Sequence, residues 1–195
     1  SKGFSTEQIQ ESLNVLLPEV TISRMDYDTT RKKFAYQEII REFEQGRIDI
    51  LVGTQMVTKG LDFDNVAVVG ILNADNMLHY PDFRAYERAF QLMMQVAGRA
   101  GRKGKQGKVL LQTYDDTHGV IQFLKAHDFK HFYTEQIAER KLFNYPPFSR
   151  IIGITLKHKD KNRLDKAANQ LAIQLRKCFG HRVLGPEYPS ISRIR

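Results

Sequence analysis

Gln95-Val96-Ala97-Gly98-Arg99-Ala100-Gly101-Arg102 has the form Q-x-x-G-R-x-x-R. A helix of about 3.6 residues per turn sets Gln95, Arg99 and Arg102 on one face. That face presents one amide and two guanidiniums, and a guanidinium grips phosphate with parallel N–H donors. The ligand it fits is a polyphosphate. Gly98 and Gly101 each cost about 1 kcal/mol relative to Ala inside a helix, which implies a close approach to the backbone. The plainer reading is a solvated basic helix end, where Arg complements the dipole. Upstream, Ile48 to Val52 is a short run of strand-forming residues ended by Gly53 and Thr54. A Thr there can offer its hydroxyl and N–H to a phosphate. Gly60 precedes Asp62, which can accept from a ribose hydroxyl. The pattern G-x-x-x-x-G-K-[ST] is not met, and by itself the segment reads as an ordinary strand–helix loop.

In this order the two segments resemble motifs V and VI of superfamily 2 helicases. Pro81-Asp82-Phe83-Arg84-Ala85-Tyr86-Glu87-Arg88 leads into the octet. Arg24-Met25-Asp26-Tyr27-Asp28-Thr29-Thr30 precedes the first segment, and Tyr145-Pro146-Pro147-Phe148-Ser149-Arg150 follows the second. Together they resemble the primosomal replication-restart DNA helicases, the PriA family, over nearly the whole chain. Many helicases share motif VI; the P-D-F-R-A-x-E-R and Y-P-P-F-S-R runs make the resemblance specific.

The resemblance implies part of an ATP-dependent 3′–5′ DNA helicase acting in replication restart and primosome assembly. Arg99 and Arg102 would be catalytic, as arginine fingers on the γ-phosphate. Gly60, Asp62 and Gln95 would bind nucleotide, and Thr54 would contact the DNA backbone. ATP with Mg²⁺ would be held mainly by a first motor lobe, because no Walker A or Walker B pattern occurs in these 195 residues. The chain is therefore expected to be a fragment that does not hydrolyse ATP alone. A zinc module is expected upstream of Ser1; Cys178 is the single cysteine, so no Cys₄ site can form here. Implied partners are single-stranded and forked DNA, other primosome proteins and single-stranded-DNA-binding protein, with no membrane. The implied location is the bacterial cytoplasm, in association with the nucleoid. Two alternatives stand beside this: another superfamily 2 translocase for repair, branch migration or RNA, and a non-enzymatic DNA-binding module.

Composition agrees with an intracellular globular protein. Hydrophobic residues make up 42%, and no apolar run nears the roughly 20 residues that span a membrane. The lone cysteine fits a reducing compartment, and its place on an apolar helical stripe predicts a buried, inert thiol. The net charge of +8 is uneven. Residues 150–195 hold 11 Lys/Arg against 3 Asp/Glu, whereas residues 1–149 hold 19 of each sign. Such asymmetry suits a polyanion as well as it suits a solvated surface.

The elements that must position these residues alternate. Helices are expected at 6–17 with a Ser5/Gln8 capping box, from an N-cap at Asp28 to Thr30 up to about Gln45, before motif VI, and near 117–126 and 128–143. Strands are expected at 20–25, 48–53, 66–72 and 107–113. Phe83, Tyr86, Phe90, Met93 and Ala97 repeat at helical spacing and should form the buried stripe of the helix before motif VI. The fold class is α/β: a RecA-like helicase lobe with a parallel sheet and flanking helices over residues 1–145. Pro146-Pro147 marks the boundary. Residues 146–195 are expected to start a C-terminal βαβ domain, with strands at 151–156 and 182–184 around a helix. The histidines read as surface or capping residues.

Overall fold

The computed structural model describes residues 5–30, 34–54, 57, 66–101 and 107–188. By contacts the chain divides into residues 1–136 and 137–195. In the first unit, α1 (Thr6–Leu16) opens on a complete capping box: the Gln8 N–H donates to the Ser5 hydroxyl, and the Ser5 N–H to the Gln8 amide oxygen, both at 3.1 Å. β1 (Ile22–Met25) and β2 (Ile50–Gly53) pair in parallel, with Ile22 opposite Ile50 and Met25 opposite Gly53. α2 (Ala35–Glu44) is the crossover between them. Its Tyr36, Ile39, Ile40 and Phe43 pack on fully buried Met25, together with Leu51, Val57 and Val66.

α2 does not start where the sequence suggests. Its N-cap is Phe34, in the left-handed region at φ 77° and with no side-chain cap. Asp26 organises the preceding segment instead. One carboxylate oxygen of Asp26 accepts the N–H groups of Asp28 and Thr29, each at 3.0 Å. The other accepts the Thr6 hydroxyl at 2.6 Å and lies 3.0 Å from Arg24 Nε. Thr30 donates its N–H and its hydroxyl to the Asp26 carbonyl at 3.1 and 2.6 Å. An Asp serving its own backbone in this way offers the chain an alternative to helix.

β3 (Val68–Ile71) and β4 (Lys108–Leu111) form a second parallel pair, crossed by α3 (Asp75–Leu78) and α4 (Ala85–Ala97). The parallel pairing expected of the fold class is present as two two-stranded pairs among the described residues. α5 (Gly119–Lys125) and α6 (Phe129–Leu142) add their apolar residues to the core around α4, and α6 runs across the division between the units. The core here joins Ile71, Ala74, Leu78, Phe90, Met93, Ile121 and Phe132. The Phe90 and Phe132 rings stack 4.2 Å apart. The buried face of α4 is rotated from the expected stripe. Phe90 and Met93 are buried as expected, but Ala85 and Ala89 join them, while Phe83, Tyr86 and Ala97 stay half-buried. Small side chains let the neighbouring helices close onto that edge.

The second unit holds α7 (Lys161–Phe179), capped by the Asp160 carboxylate, which accepts from the N–H groups of Asn162 and Arg163. The expected strands at 151–156 and 182–184 are not formed. Gly180–Arg182 is a 3₁₀ turn, and Ile151, Ile152 and Ile154 lie exposed without a ladder partner among the described residues. A strand needs a neighbour to satisfy its backbone. Residues 183–188 lie along α7 instead: Arg176 donates to the Gly185 carbonyl, the Tyr188 hydroxyl donates to Asp165, and Lys161 sits 5.0 Å over the Tyr188 ring. Cys178 is exposed, contrary to the expectation. The expected boundary at 145/146 falls in the turn after α6, where Arg140 donates to the Pro146 carbonyl at 3.1 Å. Among the described residues no helix is long and apolar enough to cross a membrane.

Burial pushes the Asp26 carboxyl up, but the Thr6 hydroxyl, the Thr29 N–H and the Arg24 guanidinium outweigh burial and hold it below the ordinary carboxylate value. The stability it lends is therefore complete above about pH 4 and is lost as pH falls through its folded value. We expect Asp26→Ala to cost about 1–3 kcal/mol near neutrality and to flatten the acid limb of a pH series of thermal melts. An acid limb as steep as that of the parent would leave Asp26 without this role.

Candidate functional site

Of the residues singled out by their chemistry, Thr54, Gln95 and Arg99 lie among the described residues. β2 delivers Thr54 at its carboxyl end, where Thr54 is exposed. Gly53 makes this possible: a Cβ there would stand 2.6 Å from the Met25 carbonyl oxygen and 2.0 Å from Val57 Cγ2. The chain then turns, with the Val57 N–H donating to the Thr54 carbonyl at 3.1 Å. Because β1 and β2 run parallel and in register, the Asp26–Thr30 turn leaves the pair at the same edge.

Gln95 is exposed on the last turn of α4. α4 stops at Ala97, so the single helical face expected to carry Gln95, Arg99 and Arg102 is not continuous. Gly98 is the C-cap, in right-handed geometry. The Arg99 N–H donates to the Val96 carbonyl at 3.0 Å and the Ala100 N–H to that of Ala97 at 3.2 Å, so the backbone tightens to three-residue bonds. Gly101 then turns away at φ 71°. Gln95 and Arg99 are four residues apart on the closing turn, and neither is without a partner. Arg102, Gly60 and Asp62 lie outside the described residues.

The close approach inferred from Gly98 and Gly101 is present at Gly101 only, and its partner is the chain itself; Gly98 faces no more than the carbonyls of its own helix. The Gly101 N–H donates to the Val66 carbonyl at 3.0 Å, and the Lys108 N–H donates to that of Ala67 at 2.9 Å. Between these bonds lies Gly107. A Cβ on Gly107 would come within 2.2 Å of the Gly101 nitrogen, 2.4 Å of the Ala100 carbonyl carbon and 2.6 Å of the Ala100 Cβ. The Arg99 turn is thus fixed to the segments that enter β3 and β4, at the amino end of that pair. Sequence reasoning placed Gly107 merely at the start of a strand; its spacing from Gly101 was the only signal of a second role.

The two runs that make the resemblance specific are built into local structure. Asp82 accepts the Arg84 N–H and pairs with Arg88, both at 2.8 Å, which fixes the start of α4. Tyr145 and Ser149 close the turn after α6 through bonds to the Arg140 and Asn144 carbonyls. Among the described residues no three His, Cys, Asp or Glu side chains are grouped to hold a metal. The His118 ring accepts the Val120 N–H and so caps α5.

A model of the helicase conserved C-terminal domain matches residues 4–104. Replication restart protein PriA of Bacillus subtilis strain 168 is 43% identical over 195 residues, covering 99% of this chain and 24% of that protein. The proteins of the same name from Synechocystis and Treponema pallidum are 38% and 40% identical over 194 residues, covering 98% of this chain and 23% and 29% of theirs. The chain therefore spans about a quarter of the length of these relatives. A solved structure of the C-terminal domain of the DEAD-box protein Dbp5 aligns with 67% of this chain and 75% of its own, at 17% identity and a TM-score of 0.40. With more than half of its residues matched, the chain belongs to the helicase conserved C-terminal domain family.

Proposed function

We propose that this chain is the second motor lobe, with the start of the following domain, of an ATP-dependent 3′–5′ DNA helicase that restarts replication and assembles primosomes. The observation that carries this reading is the Arg99 turn, clamped by the Gly101–Val66 bond and the Gly107 approach. A guanidinium on so fixed a mount can meet a phosphate that arrives from elsewhere without reorganising first, the condition for electrostatic stabilisation of a transition state. The relatives named replication restart proteins, similar along nearly the whole chain, support the biological setting.

In this reading Arg99 and Arg102 reach the γ-phosphate and spread its developing charge. Gln95, Gly60 and Asp62 bind the nucleotide, with Asp62 accepting from the ribose. Thr54 contacts the DNA backbone. ATP with Mg²⁺ would supply the transferable phosphoryl group and would be held mainly by residues of another lobe. Zinc would be held outside this chain, whose one cysteine cannot supply a thiolate cage. Single-stranded and forked DNA, primosome proteins and single-stranded-DNA-binding protein are the partners, in the bacterial cytoplasm.

The 195-residue chain alone should show no DNA-stimulated ATPase. In the full-length protein, Arg99→Ala should lower kcat by about 10³–10⁵, the range for an arginine finger, and raise KM less. Arg99→Lys should recover little, because an ammonium cannot make the two-pronged contact. Near-parental kcat in Arg99→Ala would overturn the assignment. Gly107→Ala should cost about 1–3 kcal/mol of stability, from overlap with backbone, and should lower kcat through the Arg99 turn. Gly70→Ala, which meets nothing within 4 Å, is its control.

The basic excess of residues 150–195 should bind DNA through phosphates. On single strands each phosphate neutralised by a cation adds about 0.7 to the slope of log affinity against log salt. Lys166 and Lys177 are exposed on α7. Replacing both with Gln should weaken binding and flatten the slope across a salt titration; an unchanged slope would make that charge a solvated surface only.

A further inference from the structure

The cations of α7 fall into two sets. Lys161 lies over the Tyr188 ring and Arg176 donates to the Gly185 carbonyl, so both are held against residues 183–188. The others belong to an outer stripe. Arg163, Lys166, Gln170, Ile173 and Lys177 follow one another at steps of three, four, three and four, which sets them on one flank of the helix. All five are exposed, and Ala172, the buried residue of α7, lies off that flank. The acids are turned away from the stripe. Asp160 caps the amino end and lies 3.7 Å from Arg163, while Asp165, the single acid within α7, accepts the Tyr188 hydroxyl. Arg163 is thus partly neutralised, and Lys166 and Lys177 are the charged ends of the stripe.

Their spacing narrows the ligand. Eleven residues at about 1.5 Å each put Lys166 and Lys177 about 16 Å apart along the axis. Between them Gln170, Ile173 and Gln174 line a shallow depression with Ala167 and Leu171, a stretch of amide and apolar groups without charge. Two cations on either side of a neutral stretch suit two rows of phosphates with base edges between them. The major groove of duplex DNA is about 12 Å wide and admits a helix, and long lysine stems can reach the rows that border it. The major groove of an RNA duplex is too deep and narrow for such readout. A surface built for single strands adds rings that stack on bases, and the stripe has none. The rings beside α7 lie off it. Phe179 is two turns from Ala172 on the same flank, and Tyr188 is engaged by Asp165 and Lys161.

We propose that the outer stripe of α7 lies in the major groove of duplex DNA, with Lys166 on one phosphate row, Lys177 on the other, and Gln170 and Ile173 towards the base edges. The inference rests on the reading of the basic excess as DNA-binding and adds to it the form of DNA and the groove.

The test is a salt series of titrations with the full-length protein, on a labelled blunt duplex and on a labelled single strand. On the duplex, Lys166→Gln and Lys177→Gln should each lower the slope of log affinity against log salt by about 0.9, and the double variant by about 1.8. Lys161→Gln, which removes a cation held off the stripe, should keep the parental slope. The parent should also shield a run of guanine N7 atoms, which face the major groove, from methylation by dimethyl sulfate. The double variant should restore reactivity within that run. A parental duplex slope in the double variant would overturn the proposal, as would undiminished N7 shielding or an equal loss of slope in Lys161→Gln. A loss confined to the single strand would also overturn it while leaving the basic excess as a DNA-binding segment. Unchanged slopes on both probes, the result expected if an acidic protein segment occupies the stripe, would sink both readings.

Discussion

The arrangement of the candidate site depends on one backbone junction. The Gly101 N–H is given to Val66, and the main chain at Gly107 passes so close to the Ala100–Gly101 peptide that no side chain fits between them. Without that junction, the residues after α4 would be an ordinary frayed helix end. With it, the Arg99 backbone is tied to the entry of two strands whose neighbours form the larger core. The glycines at 101 and 107 act as a pair. One supplies a left-handed turn, and the other supplies the space that the turn occupies.

What could be read in the sequence was what is local. The Ser5/Gln8 box, the βαβ alternation and Phe90 and Met93 in the core all follow from spacings of a few residues. The start of α2 was not legible, because the group that reorganises it, Asp26, is itself held by Thr6, 20 residues away. The rotation of α4 towards Ala85 and Ala89 depends on how closely other helices approach, which periodicity does not encode. Cys178 shows the same gap: a position on an apolar stripe says which way a residue faces, and not whether anything covers it. The segments at 151–156 and 182–184 have strand composition, but a ladder also needs a partner. In the candidate site, Thr54, Gln95 and Arg99 were visible as residue types at strand and helix ends. The clamp at Gly107 was not, because nothing in a glycine's identity names the atoms beside it.

Among the described residues around β1 and β2, Arg24 is shared between Glu7 and Asp26. The Arg99 turn is held at the segments that enter β3 and β4, and Val66, which accepts its closing bond, also packs against Met25 of β1.

The two strand pairs of the first unit have separate apolar clusters of unequal depth. Among the described residues around β1 and β2, Met25 is the one cluster member that is fully enclosed, and the rest are partly covered. Around β3 and β4, Ala74, Phe90, Met93 and Ile121 are all enclosed. Cooperative opening should follow that inequality. The amide protons of β1 and β2 will exchange with solvent through a sub-global opening that leaves β3 and β4 closed. The edge that presents Thr54 is thereby the softer part of the first unit, able to yield while the part that holds the Arg99 turn keeps its form.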